Sequence, residues 1–234
     1  MLSVMGPNSR NFLQSLTDVD LSNEAFAFAT SKEIDLGFGF VRASRLTFVG
    51  ELGWELLIPT DISRHIFTTL HENGSAFGLR MAGYYALNSL RLEKAYRSWG
   101  HDIGANDNPI ESGLDFAIAW DKPGGFIGRE ALCQVRESGV SRRLVQLLLS
   151  EPETFLFHDE PVYRDGVLVG KVDSTQFGYT LGASVILSWI SGPGNAAKEF
   201  FASGDYQVQT VSGMVPASVS LTPMYDPGSD RVRC

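Results

Sequence analysis

The feature that most constrains this chain is a change of texture at Gly139. Before it, stretches with strand and helix periodicity alternate; after Val140 the sequence breaks into short alternating strands. The strand-like runs are Arg143 to Leu149, Val162 to Arg164, Val167 to Val172, Ala183 to Ile190, Tyr206 to Val211 and Met214 to Leu221, with Gly and Pro as punctuation. Arg164-Asp165-Gly166 carries a hairpin-turn signal. A mixed α/β unit over residues 1–139 followed by an all-β unit over 140–234 is therefore predicted.

Within the first part, Gly6-Pro7 opens a helix from Ser9 to Leu16 with Phe12, Leu13 and Leu16 as its apolar stripe. Leu36 to Phe48 and Trp54 to Ile58, joined by Val49 to Gly53, predict a β-hairpin. Asp61 to Asn73 is an amphipathic helix with Ile62, Ile66, Phe67 and Leu70 in register and Asn73-Gly74 as its stop. Gly83 to Ala95 is a further helix, and the one starting near Phe126 ends at Glu137-Ser138-Gly139.

A formal charge of -8 argues against a nucleic-acid footprint, which needs clustered Lys and Arg. The pair Arg142-Arg143 is read as a solvated strand entrance rather than a polyanion contact, although an acidic ligand tail could use it. No apolar run approaches the roughly 18 residues that a spanning helix needs, so no membrane partner is expected. The two cysteines, Cys133 and Cys234, show neither metal-ligand nor disulfide spacing. Neither a dinucleotide fingerprint, a phosphate-cradling loop, a zinc cluster nor a serine-nucleophile elbow is present. No targeting address is legible, and a cytoplasmic location is expected.

Strand alternation places Trp54, Leu56 and Ile58 on one face and Glu55 with Leu57 on the other. A strand glutamate ordinarily faces solvent; among apolar or small neighbours it wants a partner. On the Gly83 to Ala95 helix, the 100° step separates Arg91 from Glu93 by about 200°. The two cannot serve one ligand group, and buried structural pairing is expected of both. The adjacency of His101 and Asp102 does not by itself create a catalytic pair.

Several of these segments occur together in one family. The Gly6-Pro7 turn, Phe48 to Leu56, Ala82 to Ile103, Asp107 to Leu114, Gly125 to Leu132 and Pro223 to Pro227 resemble the folate-binding region of dimethylglycine and sarcosine dehydrogenases. That region is itself similar to the aminomethyltransferase T-protein of the glycine cleavage system. The resemblance implies an α+β fold, with a ferredoxin-like α/β part followed by a small β-barrel or jelly roll.

It further implies that the chain binds tetrahydrofolate between these parts and accepts a methylene unit from a one-carbon donor to give 5,10-methylenetetrahydrofolate. FAD would belong to a separate flavin domain, which this sequence lacks. Glu55 lines up with the glutamate that holds the pterin, Phe48 with a tyrosine that could stack on it, and Tyr96 with a folate-contacting tyrosine. Phe48 reads equally as core packing; a plug at the domain junction is the alternative for Tyr96 and Trp99, and for Trp99 it reads at least as well. Glu51 reads as a solvated turn residue.

The family's catalytic aspartate lies upstream of the Gly6-Pro7 turn, beyond this sequence, so no catalytic residue and no metal ligand is assigned and little activity is expected of this chain alone. Three departures stand out. Ala86-Leu87-Asn88 replaces Ala-Arg-Asp, Val172-Asp173-Ser174-Thr175 stands where relatives read Thr-Ser-Gly, and Ser188-Trp189 stands where they read Gly-Tyr. These departures leave open an alternative role, a non-catalytic module for regulation or protein contact.

Overall fold

The computed structural model describes residues 1–234. It comprises two compact units, Met1–Leu87 with Gly228–Cys234, and Asn88–Pro227.

The first unit is built on an antiparallel sheet of β1 (Leu2–Met5), β2 (Ser31–Leu36), β3 (Gly39–Ser44) and β4 (Gly53–Leu57), in the order β1-β4-β3-β2. Period-2 alternation puts Val4, Ile34, Leu36, Val41, Ala43, Trp54 and Leu56 on one face. Against it pack Phe12 and Leu13 of α1 (Ser9–Gln14) and Ile66 and Leu70 of α2 (Ser63–Asn73). Gly53 is required where β4 meets β1, since a β-carbon there would lie 2.4 Å from the Val4 carbonyl oxygen.

The predicted hairpin is present as β3 and β4, with Ser44 opposite Glu55. Its first strand is shorter than expected. Gly37 and Phe38, both at positive φ, make a tight turn between β2 and β3, and β3 ends at Ser44. Phe48 consequently sits in the β3–β4 loop instead of on a strand. In α2, Phe67 is 41% exposed and lies off the core stripe to which the period had assigned it. Asn73 does end α2, but the chain continues into a 3-10 turn, and Gly78, at φ 76, is the left-handed residue.

The second unit contains the C-terminal half of α3 (Tyr84–Glu93), α4 (Arg129–Ser138) and the β-rich part. Its strands are β5 (Val140–Leu149), β6 (Pro161–Arg164), β7 (Val167–Lys171), β8 (Ser174–Gly178), β9 (Ala183–Ala196), β10 (Tyr206–Thr210) and β11 (Gly213–Ser220). The order β5-β11-β10-β6-β7-β9 closes on itself through β5–β9 pairing. The result is a six-stranded antiparallel barrel without free edges, and β8 extends β9 outside it. Val145, Leu147, Val162, Ile186, Ile190, Val208 and Val215 fill the interior.

The outer face of β5 and β9 is covered too. Leu92 and Ala95, at and just beyond the end of α3, pack on Leu144, Val185 and Leu187, which explains why β5 is buried on both faces. Gln146 fixes this contact: its amide nitrogen donates to the Leu92 and Glu93 carbonyls at 2.6 and 3.1 Å, and its amide oxygen accepts from Met224 N. No helix is long and apolar enough to cross a membrane.

Candidate functional site

In the first unit, Glu55 lies on β4, an interior strand, with Ser3 of β1 and Ser44 of β3 as its cross-strand partners. Trp54 and Leu56 point into the core, so Glu55 points to the opposite face, where it is half-buried. Its two lateral neighbours are short, which leaves room above the carboxylate. No side chain or backbone donor of the protein pairs with it, although it stands in the middle of a sheet. Such a group retains both oxygens as acceptors for a ligand.

Phe48 is half-buried in the loop above this strand, whose turn is shaped by Thr47 Oγ1 accepting from Val49 N and Gly50 N at 3.2 and 3.1 Å. Glu51 is not the solvated turn residue expected from the sequence. Its side chain is 18% exposed and faces the Arg231 guanidinium at 3.9 Å.

The strand bearing Glu55 is anchored from below. Trp54 is fully buried, with Phe26 edge-on at 6.1 Å and the guanidinium carbons of Arg10 and Arg45 5.9 and 5.8 Å from its ring centre. Arg45 itself is buried, donates to the Phe26 and Cys234 carbonyls, and is held below the usual arginine range by burial and by Arg10. The sequence offered no signal for Arg45, a lone arginine after a strand.

In the second unit, the expected structural roles of Arg91 and Glu93 are visible. Arg91 Nη1 donates to Asp102 Oδ2 at 2.5 Å and to the Tyr96 carbonyl at 3.1 Å, while Nη2 donates to Ser174 Oγ. Asp102 also accepts from Ser174 Oγ and from Ser98 N. The helix ends in a Schellman arrangement in which Ala95 takes the left-handed position, with Tyr96 N donating to Arg91 O and Ala95 N to Leu92 O. Tyr96 is thus gripped through its backbone on both sides and is half-buried. Trp99, by contrast, is 72% exposed and plugs nothing. Asp102 turns inward to Arg91 while the His101 ring lies 5.7 Å from that of His158, so the adjacent pair does not act as one.

Glu93 is fully buried, and its Oε1 accepts from Thr180 N and Leu181 N at 2.7 and 2.8 Å. A β-carbon on Gly178 would lie 3.0 Å from that oxygen, so glycine permits the approach. Glu93→Ala should lower unfolding free energy by roughly 1–3 kcal/mol, because two part-buried N–H groups lose their charged acceptor. Glu93→Gln, which keeps one acceptor, should lose less; urea unfolding of both variants measures the difference.

Two departures from the family pattern meet each other. Trp189 N donates to Asp173 Oδ2, Trp189 Nε1 donates to the Asp102 carbonyl, and the Arg142 guanidinium covers the indole at 4.4 Å. Trp189 is therefore tied into its own unit by the other replaced residue. Burial raises the Asp173 carboxyl above the ordinary carboxylate range; the Trp189 amide and Lys171 oppose this, and Asp102 and Asp159 add to it. A raised folded-state value destabilises the fold while the group is charged, and the penalty fades as pH falls through that value. Asp173→Asn, whose amide oxygen can still accept from Trp189 N, should raise the melting temperature at neutral pH by a small amount. The gain should vanish under acid conditions, and paired thermal melts across pH would read it.

Arg142 and Arg143 also differ from expectation. Arg142 is half-exposed and paired with Asp107 and Glu111, whereas Arg143 is only 5% exposed. The entrance to β5 is solvated at the first arginine and not at the second, whose side chain takes the opposite face of the strand.

Comparison with known proteins places this geometry. Residues 1–122 match the model of the GCVT N-terminal domain, and residues 142–226 that of the glycine cleavage T-protein C-terminal barrel domain. The chain belongs to the glycine cleavage T-protein family. It is 41% identical over 234 residues to 4-methylaminobutanoate oxidase (formaldehyde-forming) of Paenarthrobacter nicotinovorans, covering 99% of this chain and 27% of that protein. Human mitochondrial sarcosine dehydrogenase is 40% identical over 235 residues, covering 100% of this chain and 26% of that protein. The chain thus spans about a quarter of the length of these relatives. The glycine cleavage system aminomethyltransferase T from Bartonella henselae shares the fold, with a TM-score of 0.76 at 21% identity over 95% of this chain and 58% of that one.

Proposed function

We propose that this T-protein-family chain is the tetrahydrofolate-binding, one-carbon-transfer portion of an N-methyl amine dehydrogenase of the dimethylglycine and sarcosine type. The observation that carries this reading is Glu55, a half-buried carboxylate on an interior strand, between two serines, with no partner in the protein. The pterin ring presents a ring N–H beside an exocyclic amine, and an ionised carboxylate accepts from both with its two oxygens. The residues present therefore fit the ligand at its polar edge. Phe48 supplies an aromatic surface in the adjoining loop, and Tyr96 is assigned as a further folate contact.

In this reading the folate supplies the nitrogen that takes the methylene unit, and the chain's own residues bind and orient it. The methylene would come from amine oxidation on a flavin domain, the portion of the enzyme outside this sequence. Cys133 and Cys234 are both free thiols.

Calorimetric titration with 5-formyltetrahydrofolate, a stable reduced folate, tests the proposal. Binding by the chain and its loss on Glu55→Ala, by roughly 10- to 100-fold for a charge-assisted pair, is the expected result. A folded chain that binds no reduced folate, or binds it equally well without Glu55, would contradict the proposal. The regulatory or protein-contact role would then lead.

A further inference from the structure

On the outer face of the first sheet, four polar side chains fall into register across the strands. Ser3 of β1 stands opposite Glu55 of β4, Glu55 opposite Ser44 of β3, and Ser44 opposite Ser31 of β2. The row crosses all four strands and lies wholly within the first unit. Cross-strand partners have β-carbons about 4.5–5.5 Å apart, so Ser3 and Ser44 flank the carboxylate at its base. Apolar side chains bound the row along the strand direction. Met5 fills the place where a β-carbon on Gly53 would stand, on one side of Glu55, and Leu57, 59% exposed, follows Glu55 on the other.

The two flanking hydroxyls are not equivalent. Ser44 Oγ donates to Ser31 Oγ at 3.0 Å, so its proton is engaged and it can only accept from a further group. Ser3 is exposed, and its hydroxyl has no partner in the protein, which leaves it free to donate. Across the strands the sheet therefore presents a donor at Ser3, two acceptor oxygens at Glu55 and an acceptor at Ser44.

The polar edge of a pterin carries the complementary order. Its 4-oxo group accepts, its ring N–H and 2-amino group donate, and the second hydrogen of the amine donates further along the edge. Turned end for end on Glu55, the 4-oxo group would meet Ser44, whose proton is already given to Ser31, and would go without a donor. We propose that Ser3 donates to the 4-oxo group and Ser44 accepts from the 2-amino group, so that Ser3 selects 4-oxo pterins and fixes which way round the ring lies. The inference rests on the folate reading of Glu55 and adds to it the residues that orient the ligand.

Ser3→Ala is the informative variant. An exposed hydroxyl without a partner contributes little to the fold, and the melting temperature should match that of the parent chain. Calorimetry is run with 5-formyltetrahydrofolate and with its 4-thioxo analogue, which keeps the ring N–H and the amine but puts a weakly accepting sulfur in place of the oxygen. The parent chain should bind the oxo form about three- to tenfold more tightly, the range of one neutral hydrogen bond. In Ser3→Ala the oxo form should weaken by a similar factor, the thioxo form much less, and the preference should shrink accordingly. Ser3→Thr, which keeps the hydroxyl, should restore both. Ser44→Ala should weaken the two forms alike and leave their ratio unchanged, since both carry the amine.

A full preference retained in Ser3→Ala, or removed by Ser44→Ala instead, overturns the proposal, and so does a parent chain that binds the two forms equally. Where affinity in those cases still falls on Glu55→Ala, the folate reading survives and only the role of Ser3 is lost. A parent chain that binds neither form removes the folate reading and this inference with it.

Discussion

Replacing Arg91 by Met should cost about 3–5 kcal/mol of unfolding free energy, the usual price of breaking a buried ion pair from one side. The Asp102 side chain has no exposed surface and would keep only Ser98 N and Ser174 Oγ as donors once the guanidinium is gone. Three elements meet at Arg91: the end of α3, the loop carrying Tyr96 to Asp102, and β8 through Ser174. The variant should therefore loosen that loop as well as lower stability. The double variant Arg91→Met/Asp102→Leu should recover most of the loss, since an apolar pair of similar volume removes the orphaned charge. Urea unfolding of the four proteins in this cycle gives the coupling energy. A single-variant loss under about 1 kcal/mol would show that the pair is not buried as described.

Trp54→Ala should be similarly costly, about 3–5 kcal/mol, because the indole is fully enclosed and its removal leaves a cavity. The effect has a second part. Arg10 and Arg45 flank the ring, and Arg45 is nearly buried, so the cavity exposes a guanidinium to an apolar space that cannot solvate it. Because Glu55 follows Trp54 on β4 and its direction depends on that strand's register, Trp54→Ala should also weaken reduced-folate binding without touching the ligand. Trp54→Phe, which keeps an aromatic ring in the space, should retain binding and lose less stability. Thermal melts paired with folate titrations distinguish strand displacement from contact loss.

Elements with a strong local pattern were legible in the sequence. The β-runs after Val140 reappear as barrel strands within three residues of their predicted limits, except β9, which continues six residues past Ile190 to Ala196, because alternation, Gly and Pro are local signals. Glu55 could be placed on the non-core face for the same reason. By contrast, β8 was missed: Ser174-Thr175-Gln176 is polar, and it becomes a strand only by pairing with β9, where Ser174 faces Leu187. The turn at Gly37-Phe38 was hidden by an aromatic residue in a left-handed conformation that side chains of its size rarely adopt.

Partners far apart in the chain were the least visible. The sequence suggested that Arg91 and Glu93 were buried pairs, yet nothing in it named Asp102 and Ser174 for the first or the Thr180 and Leu181 amides for the second. Likewise Arg143 and Gly113 come together only through the tertiary fold. A dipeptide of arginines gives no indication that one is solvated and the other enclosed.

The central claim is that the Glu55 carboxylate holds the donor edge of a pterin. The most direct measurement is the affinity of the parent chain and of Glu55→Ala for a reduced folate and for its analogue lacking the exocyclic 2-amino group. The account predicts that removing the amine weakens binding to the parent chain and has little further effect on Glu55→Ala. Equal losses in both proteins would mean that the amine and the carboxylate do not meet, which would contradict the claim.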